Sequence, residues 1–154
     1  MNEFSGRYAE CLPYLVDKAS VYFRLHGSSL LHSLGSDLTI DQFIALDAIA
    51  LSSDICQRDL AKILLKDRSN VTRIVSILEK KSLIKRISTT KSKRPVKIIK
   101  ITEKGQKVID ELSPVLKGDL KNFTSSIGTN DLEQFVDTLN KIISKISENE
   151  NIQI

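Results

Sequence analysis

The sequence predicts a mainly α-helical protein with one small β-hairpin near its middle. Most of the chain places apolar residues three or four positions apart, as amphipathic helices do, whereas two short β-branched segments within residues 83–101 enclose a polar link. Charge is also sorted by region: residues 55–107 hold 16 Lys and Arg against 4 Asp and Glu, a net charge of +12, and the remainder sums to −8. A basic middle between acidic ends indicates a module that contacts phosphate.

Four helices are expected before the hairpin. Apolar spacing predicts one long helix over residues 12–34, which Gly35 ends, and Thr39 with Gln42 forms a capping box for a second helix to about residue 51. A short helix over residues 57–64 follows a polar turn. Asp67 is the expected N-cap of the next helix, which runs to residue 80. The last two helices form a helix-turn-helix.

The segments 83–88 and 96–101 are predicted strands, and the polar link 89–95 between them makes the tip of a wing. Thr102 is expected to cap a long helix with a kink near Pro114, and a final helix follows Gly128 and gives way to a polar tail from Ser147. The predicted organisation is therefore a winged helix-turn-helix module at 37–104. Helical regions at 1–36 and 105–154, formed by the N- and C-terminal helices, would make the dimerisation region.

The second helix of the helix-turn-helix has an apolar back and a small, polar, basic front. Such a front can enter a major groove about 12 Å wide, where arginine matches guanine and hydroxyls bond phosphate or base edges. The wing tip adds cations, and Arg94 is our candidate for the neighbouring minor groove. The alternative for the helix is an amphipathic helix with a solvated polar face, and the alternative for the wing tip is a soluble turn. Each alternative would explain its own feature alone, but the two features together favour DNA binding. The predicted DNA-binding residues are Arg68, Ser69, Thr72, Arg73, Ser76, Lys91, Lys93 and Arg94.

Six segments in order resemble the MarR family of multiple-antibiotic-resistance-type regulators: LTIDQF (38–43), QRDLA (57–61), SNVTR (69–73), LE (78–79), LIKR (83–86) and ITEKG (101–105). The resemblance implies a homodimer built from the first and last helices, two winged modules on pseudo-palindromic double-stranded DNA, and a ligand-responsive cleft. Ser82 stands where the family usually has Gly, and a left-handed conformation there would cost about 1 kcal/mol. Ser92 stands where the family usually has an Asp that braces the wing arginine.

A small aromatic or anionic effector is expected between the first helix and the winged module. Its candidate contacts on that helix are Tyr22, Arg24, His26 and His32. His26 lies on the apolar stripe, where a histidine with a satisfied core or interface role is the simpler interpretation. With only two His, outside the i, i+4 spacing, and two distant Cys, we expect no metal and no cofactor.

Cys56 precedes the helix at residue 57, and a helix N-terminus can lower a thiol pKa. A cysteine-based redox-responsive regulator is therefore an alternative, although an inert thiol is the simpler interpretation. Cys11 falls roughly where a peroxide-sensing subgroup of the family has a cysteine, but its local context differs, and we interpret it as structural or incidental.

The predicted function is sequence-specific, DNA-binding transcriptional regulation, as a repressor released by a small-molecule effector. The further alternative is a winged helix used for RNA or protein contacts. An enzyme is not expected, because the chain lacks a phosphate-binding loop, a His beside a nucleophile and a carboxylate pair. No apolar run reaches the roughly 20 residues of a membrane span, and residues 1–10 lack a signal-peptide core. We therefore expect a cytoplasmic protein without a membrane partner.

Overall fold

The computed structural model describes residues 11–91 and 94–150, and these form six helices and three strands. The helices are α1 (Leu12–Ser33), α2 (Ile40–Ala50), α3 (Gln57–Leu64), α4 (Arg68–Lys80), α5 (Glu103–Thr124) and α6 (Thr129–Glu150). The strands are β1 (Ile55–Cys56), β2 (Ile84–Lys91) and β3 (Arg94–Ile101). The predicted class, mainly helical with a small β-wing, is confirmed.

Helix starts follow the predicted capping signals. At α2, the Thr39 side chain accepts a hydrogen bond from the Gln42 backbone N–H at 3.3 Å, and the Gln42 side chain accepts one from the Thr39 N–H at 3.2 Å. Asp67 caps α4 by accepting from the Asn70 N–H at 2.9 Å. Each cap satisfies backbone donors that the first helical turn leaves without partners. These two starts were therefore set locally, and the sequence predicted them.

The hairpin is longer than predicted. β2 and β3 pair in antiparallel register from Ile84 opposite Ile101 to Lys91 opposite Arg94, so most of the predicted link 89–95 is strand. Thr89 and Thr90 lie in β2, where their β-branched side chains suit the pleated backbone. Only residues 92 and 93 separate the strands, and they lie outside the described residues. The wing therefore projects further than the sequence indicated.

A two-residue strand, β1, was not predicted. Ile55 pairs with Ile99 and Cys56 with Ile98, which gives the sheet order β1-β3-β2. Two residues are too few to show an alternating pattern, so the pairing depends on the position of β3. This pairing anchors the base of the wing to the start of α3.

The hydrophobic core lies within the winged helix-turn-helix. α2, α3 and α4 pack against the base of the sheet, and the ends of α1 and α5 nearest the module complete the core. On α4 the buried residues are Val71, Ile74, Val75 and Leu78, as the predicted apolar back requires. Asn70 projected onto the same back but is exposed, because its amide donates to Asp67 beside the helix start. The fully buried large side chains include Leu31, Leu46, Ile49, Leu60, Leu78 and Ile99.

Apolar faces on the outer helices remain uncovered in the single chain. No residue of α6 whose burial is described is buried, although the helix has a continuous apolar stripe. The exposed large apolar residues include Leu12, Leu15, Tyr22, Phe23, Leu120, Phe123, Phe135, Val136, Ile143 and Ile146. Within the part of the chain that the structure describes, every helix is too short or too polar to cross a membrane.

The first turn of α5 is packed tightly against the sheet. Thr102 caps the helix by accepting from the Gly105 N–H at 3.1 Å, as predicted, and its own N–H and hydroxyl donate to the Leu83 carbonyl oxygen, each at 3.0 Å. α5 then runs without a break through Pro114. The kink expected near Pro114 stays a prediction.

Ser82 adopts a left-handed conformation, with φ of +60°. This is the conformation whose cost for serine was considered from the sequence. The Ser82 N–H donates to the Glu79 carbonyl oxygen at 2.9 Å, and the Leu83 N–H donates to the Leu78 carbonyl oxygen at 3.0 Å. This pair of bonds is a Schellman motif, the helix ending in which glycine usually occupies the left-handed position. Serine therefore carries the conformational cost rather than avoiding it.

Ser82→Gly is expected to raise the free energy of unfolding by about 0.5–1 kcal/mol, because glycine removes the left-handed penalty but loses more entropy on folding. Chemical denaturation of both proteins measures the difference. Ser88→Gly is the matched control, since Ser88 is exposed in the middle of β2 and glycine there is expected to destabilise. Destabilisation by Ser82→Gly would contradict the prediction.

Candidate nucleic-acid interface

The polar front of α4 is presented to solvent. Arg68, Ser69, Thr72 and Arg73 are exposed, and Ser76 is half-buried. The predicted α4 residues therefore share one accessible face, while the four buried apolar residues hold the opposite face against the module. A helix fixed by its back with an accessible polar front has the geometry needed to enter a major groove.

The start of α4 is fixed electrostatically as well as sterically. The Asn70 N–H beside the Asp67 carboxylate holds the pKa of Asp67 below its ordinary value. The negative charge of the ionised Asp67 also interacts favourably with the positive end of the α4 dipole. The residues that follow the cap, Arg68 and Ser69, are thus held at a defined helix N-terminus.

Thr72 is engaged within the protein. Its hydroxyl donates to the Arg68 carbonyl oxygen at 2.7 Å, and it accepts a hydrogen bond from the side-chain amide of Gln57 at the start of α3. The sequence did not assign Gln57 to the site, although its position at the first residue of α3 was the available signal. Gln57 and Thr72 thereby join the two helices of the helix-turn-helix beside the polar front of α4.

Ser76 is also engaged. Arg86 of β2 donates from Nη2 to the Ser76 hydroxyl at 3.0 Å, and its Nε lies 3.3 Å from Oε2 of Glu79. The sequence analysis did not assign Arg86 to this contact. Three residues from α4 and β2 therefore form one polar contact at the base of the wing.

The wing cations differ in their surroundings. Lys85 and Lys97 are exposed on β2 and β3, whereas Lys100 pairs with Asp54 at 3.3 Å. Lys91 and Arg94 lie opposite each other as the last described residues of the hairpin strands. Lys93, which was predicted to contact DNA, lies outside the described residues.

Arg24 lines a groove between α1 and the winged module, as expected for an effector site. The groove measures about 500 Å³, and its other walls are largely apolar residues of α2, α3 and α6. Lys66 on its rim pairs with Asp41 at 3.1 Å. One guanidinium beside an apolar wall can accept an amphipathic anion.

The other predicted effector residues do not join Arg24. Tyr22 and His26 line an adjacent cavity of about 390 Å³, which shares Ala19 and Phe23 with that groove. Phe123 also lines it, and the Phe23 and Phe123 rings meet edge to face at 5.9 Å. His26 Nε2 lies 2.8 Å from Oδ2 of Asp119, and 52% of the imidazole is exposed. The histidine is therefore satisfied as expected, but it is not in the core. His32 is exposed and lines neither cavity.

Cys56 is a free, half-buried thiol at the N-cap of α3, and it makes no side-chain capping bond. Its Sγ donates to Oδ2 of Asp59 at 2.9 Å, and this bond holds the pKa of Asp59 below its ordinary value. Cys11, at the N-cap of α1, is also a free, half-buried thiol. The redox alternative stays a prediction.

Known proteins share both the sequence pattern and the fold. Residues 36–95 match the model of the MarR family. A crystal structure of an S. aureus MepR–DNA complex superposes with a TM-score of 0.76 at 23% identity, over 88% of this chain and 96% of that one. A MarR/EmrR family transcriptional regulator from Acinetobacter sp. ADP1 gives a TM-score of 0.79 at 20% identity, over 88% and 94%.

MarR from E. coli, in its apo form, gives a TM-score of 0.70 at 23% identity and covers 86% of this chain and 96% of that one. These likenesses extend beyond the matched module to the outer helices. The family match covers α2, α3, α4, β2 and the start of β3, which are the elements that build the candidate interface. Residues 36–95 thus match the MarR family model, and the fold of the chain is the one that these MarR-family structures share.

Proposed function

We propose that this protein is a transcriptional repressor that binds a pseudo-palindromic site in double-stranded DNA. The observation that carries the proposal is the exposed polar front of α4 beside a long basic hairpin, in a segment with a net charge of +12. A recognition helix reads base edges in the major groove, and adjoining cations neutralise phosphates. The MepR–DNA complex supports the same use of this fold.

The DNA-binding form is a homodimer. Uncovered apolar faces on α1, α5 and α6 support this assembly, because a second copy would remove them from water. We assign residues 37–104 to DNA binding and residues 1–36 and 105–154 to dimerisation. Two modules related by two-fold symmetry would contact half-sites with centres about 34 Å apart.

Binding to duplexes from the DNA flanking the protein's own gene tests the proposal. We expect one of these duplexes to be bound by a dimer, with much weaker binding to a shuffled duplex at the same salt concentration. Light scattering of the free and bound protein measures the stoichiometry. Equal affinity for both duplexes, or a monomer that retains specific binding, would contradict it, and preferential RNA binding would favour the alternative.

Release by a small aromatic or anionic effector completes the proposed function. The groove beside Arg24 supports this release, because the groove lies between α1 and the module. A change in the spacing of these two parts would change the shape of the groove. An effector acts only through different affinities for the DNA-competent and DNA-free conformations. A 100-fold loss of operator affinity requires about 2.7 kcal/mol of such difference.

Arg24→Ala is expected to abolish the response to an anionic effector, because the guanidinium is its proposed partner in the groove. Salicylate-like and phenolic compounds are titrated against the operator complex by fluorescence anisotropy. Lys18→Ala is the matched control, since Lys18 is an exposed cation of α1 that does not line the groove. A response by Arg24→Ala equal to that of the wild type would exclude this groove.

A further inference from the structure

We infer that Arg86 is a positioning residue, which holds the wing against the recognition helix, rather than one of the cations that contact phosphate. This role goes beyond the proposed DNA-binding function and rests on it. Arg86 leaves β2 toward α4 and contacts two residues there, Ser76 through Nη2 at 3.0 Å and Glu79 through Nε at 3.3 Å. A planar guanidinium with two partners in different directions fixes both distance and orientation.

The surroundings of Arg86 differ from those of the wing lysines. Arg86 is exposed as a residue, as Lys85 and Lys97 are, but its guanidinium contacts two side chains of α4. A cation that contacts phosphate must give up water for the DNA, but Arg86 has already exchanged part of its hydration for protein partners. Moving it to a phosphate would leave Glu79 without this partner.

Glu79 supplies the second half of the argument. Its carboxylate lies on α4 one helical turn after Ser76, and 42% of its side chain is exposed. The positions of Glu79 and Arg73 on α4 project onto the same polar arc, which the DNA would approach. An unpaired carboxylate there would repel phosphate. Arg86 therefore also cancels a negative charge beside the interface.

The position of the contact explains its mechanical effect. α4 and β2 are already joined at the end of the helix by the Schellman motif at Ser82 and Leu83. A single connection acts as a pivot. Glu79 contributes its carbonyl oxygen to that motif, but Ser76 lies one turn earlier in α4, so the Arg86–Ser76 hydrogen bond is a second attachment. Two separated attachments prevent rotation about the pivot, so the wing and the recognition helix reach the DNA in a fixed relative orientation.

Salt-dependent DNA binding distinguishes positioning from phosphate contact. Arg86→Lys keeps the charge but loses the fork, and we expect it to bind the operator about tenfold more weakly, with little change on random DNA and an unchanged salt slope. Lys97→Ala, the control cation on β3, should lower both affinities alike and reduce the salt slope by about one unit. The operator-to-random ratio is insensitive to a simple loss of folded protein.

A measurement without DNA tests the contact itself. In the free protein, the NMR signal of the Arg86 Nε–H is expected to shift and exchange faster in Glu79→Gln than in the wild type. An unchanged signal would overturn the inference, as would Arg86→Lys that binds like the wild type together with Arg86→Ala that loses one unit of salt slope. Wild-type protein that binds no duplex would overturn the proposed function and, with it, this role.

Discussion

Gly105→Ala is expected to lower the free energy of unfolding by about 3 kcal/mol. Gly105 lies in the first turn of α5, where a β-carbon would overlap the Leu83 carbonyl oxygen and approach Cγ1 of Ile101 to 2.8 Å. The carbonyl belongs to the backbone and already accepts from Thr102, so it has little freedom to move. Steric overlap therefore outweighs the gain of about 1 kcal/mol that alanine usually brings to a helix.

Gly118→Ala in the same helix is the matched control. Within the single chain, a β-carbon at Gly118 meets no neighbouring atom within 4 Å, so only helix propensity and unfolded-state entropy change there. We expect this variant to be more stable by about 0.5–1 kcal/mol. Chemical denaturation of the three proteins measures both effects, and a change of the same sign at both positions would contradict the close packing at Gly105.

Arg73→Ala is expected to weaken operator binding by about 1–3 kcal/mol and to affect random DNA much less. Arg73 is exposed on the polar front of α4, where a guanidinium can bond two acceptors of guanine. Its loss should therefore remove discrimination at one base pair in each half-site. Anisotropy titrations with the operator and with single-base variants measure both the affinity and the lost preference.

Lys97→Ala provides the comparison for Arg73→Ala. Lys97 is an exposed cation on β3, so its loss should weaken binding to all sequences alike and flatten the salt dependence by about one unit. If Arg73→Ala and Lys97→Ala reduced operator and random binding by the same factor, Arg73 would be a phosphate contact rather than a base reader.

The hydroxyls of Thr72 and Ser76 form hydrogen bonds within the protein, and this changes which residues we expect to contact DNA bases. Thr72 bonds Gln57 and the Arg68 carbonyl, and Ser76 accepts from Arg86. Direct base contacts by these hydroxyls would compete with the bonds that join α4 to α3 and to the wing. Arg68, Ser69 and Arg73 are therefore the stronger expected readers, and Thr72 and Ser76 position the helix.

Local signals predicted most of the helices. The capping box at Thr39 and the caps at Asp67 and Thr102 are formed between residues three positions apart, so their geometry is encoded within a single turn. The apolar back of α4 was equally readable, except at Asn70. The ends of the strands were harder to predict from the sequence. Thr89 and Thr90 are compatible with a polar link and with a strand, and only their pairing with β3 places them in β2.

The sequence by itself determined the winged helix-turn-helix, the polar front of α4 and the charge segregation, because helical period, caps and side-chain charge are local properties. Only the tertiary structure decided that Arg86 contacts Ser76 and Glu79 of α4, that Arg24 lines a different cavity from Tyr22 and His26, and that Gly105 lies against Leu83. Each of these depends on residues distant in sequence meeting at one place. Periodicity along one segment contains no information about that packing.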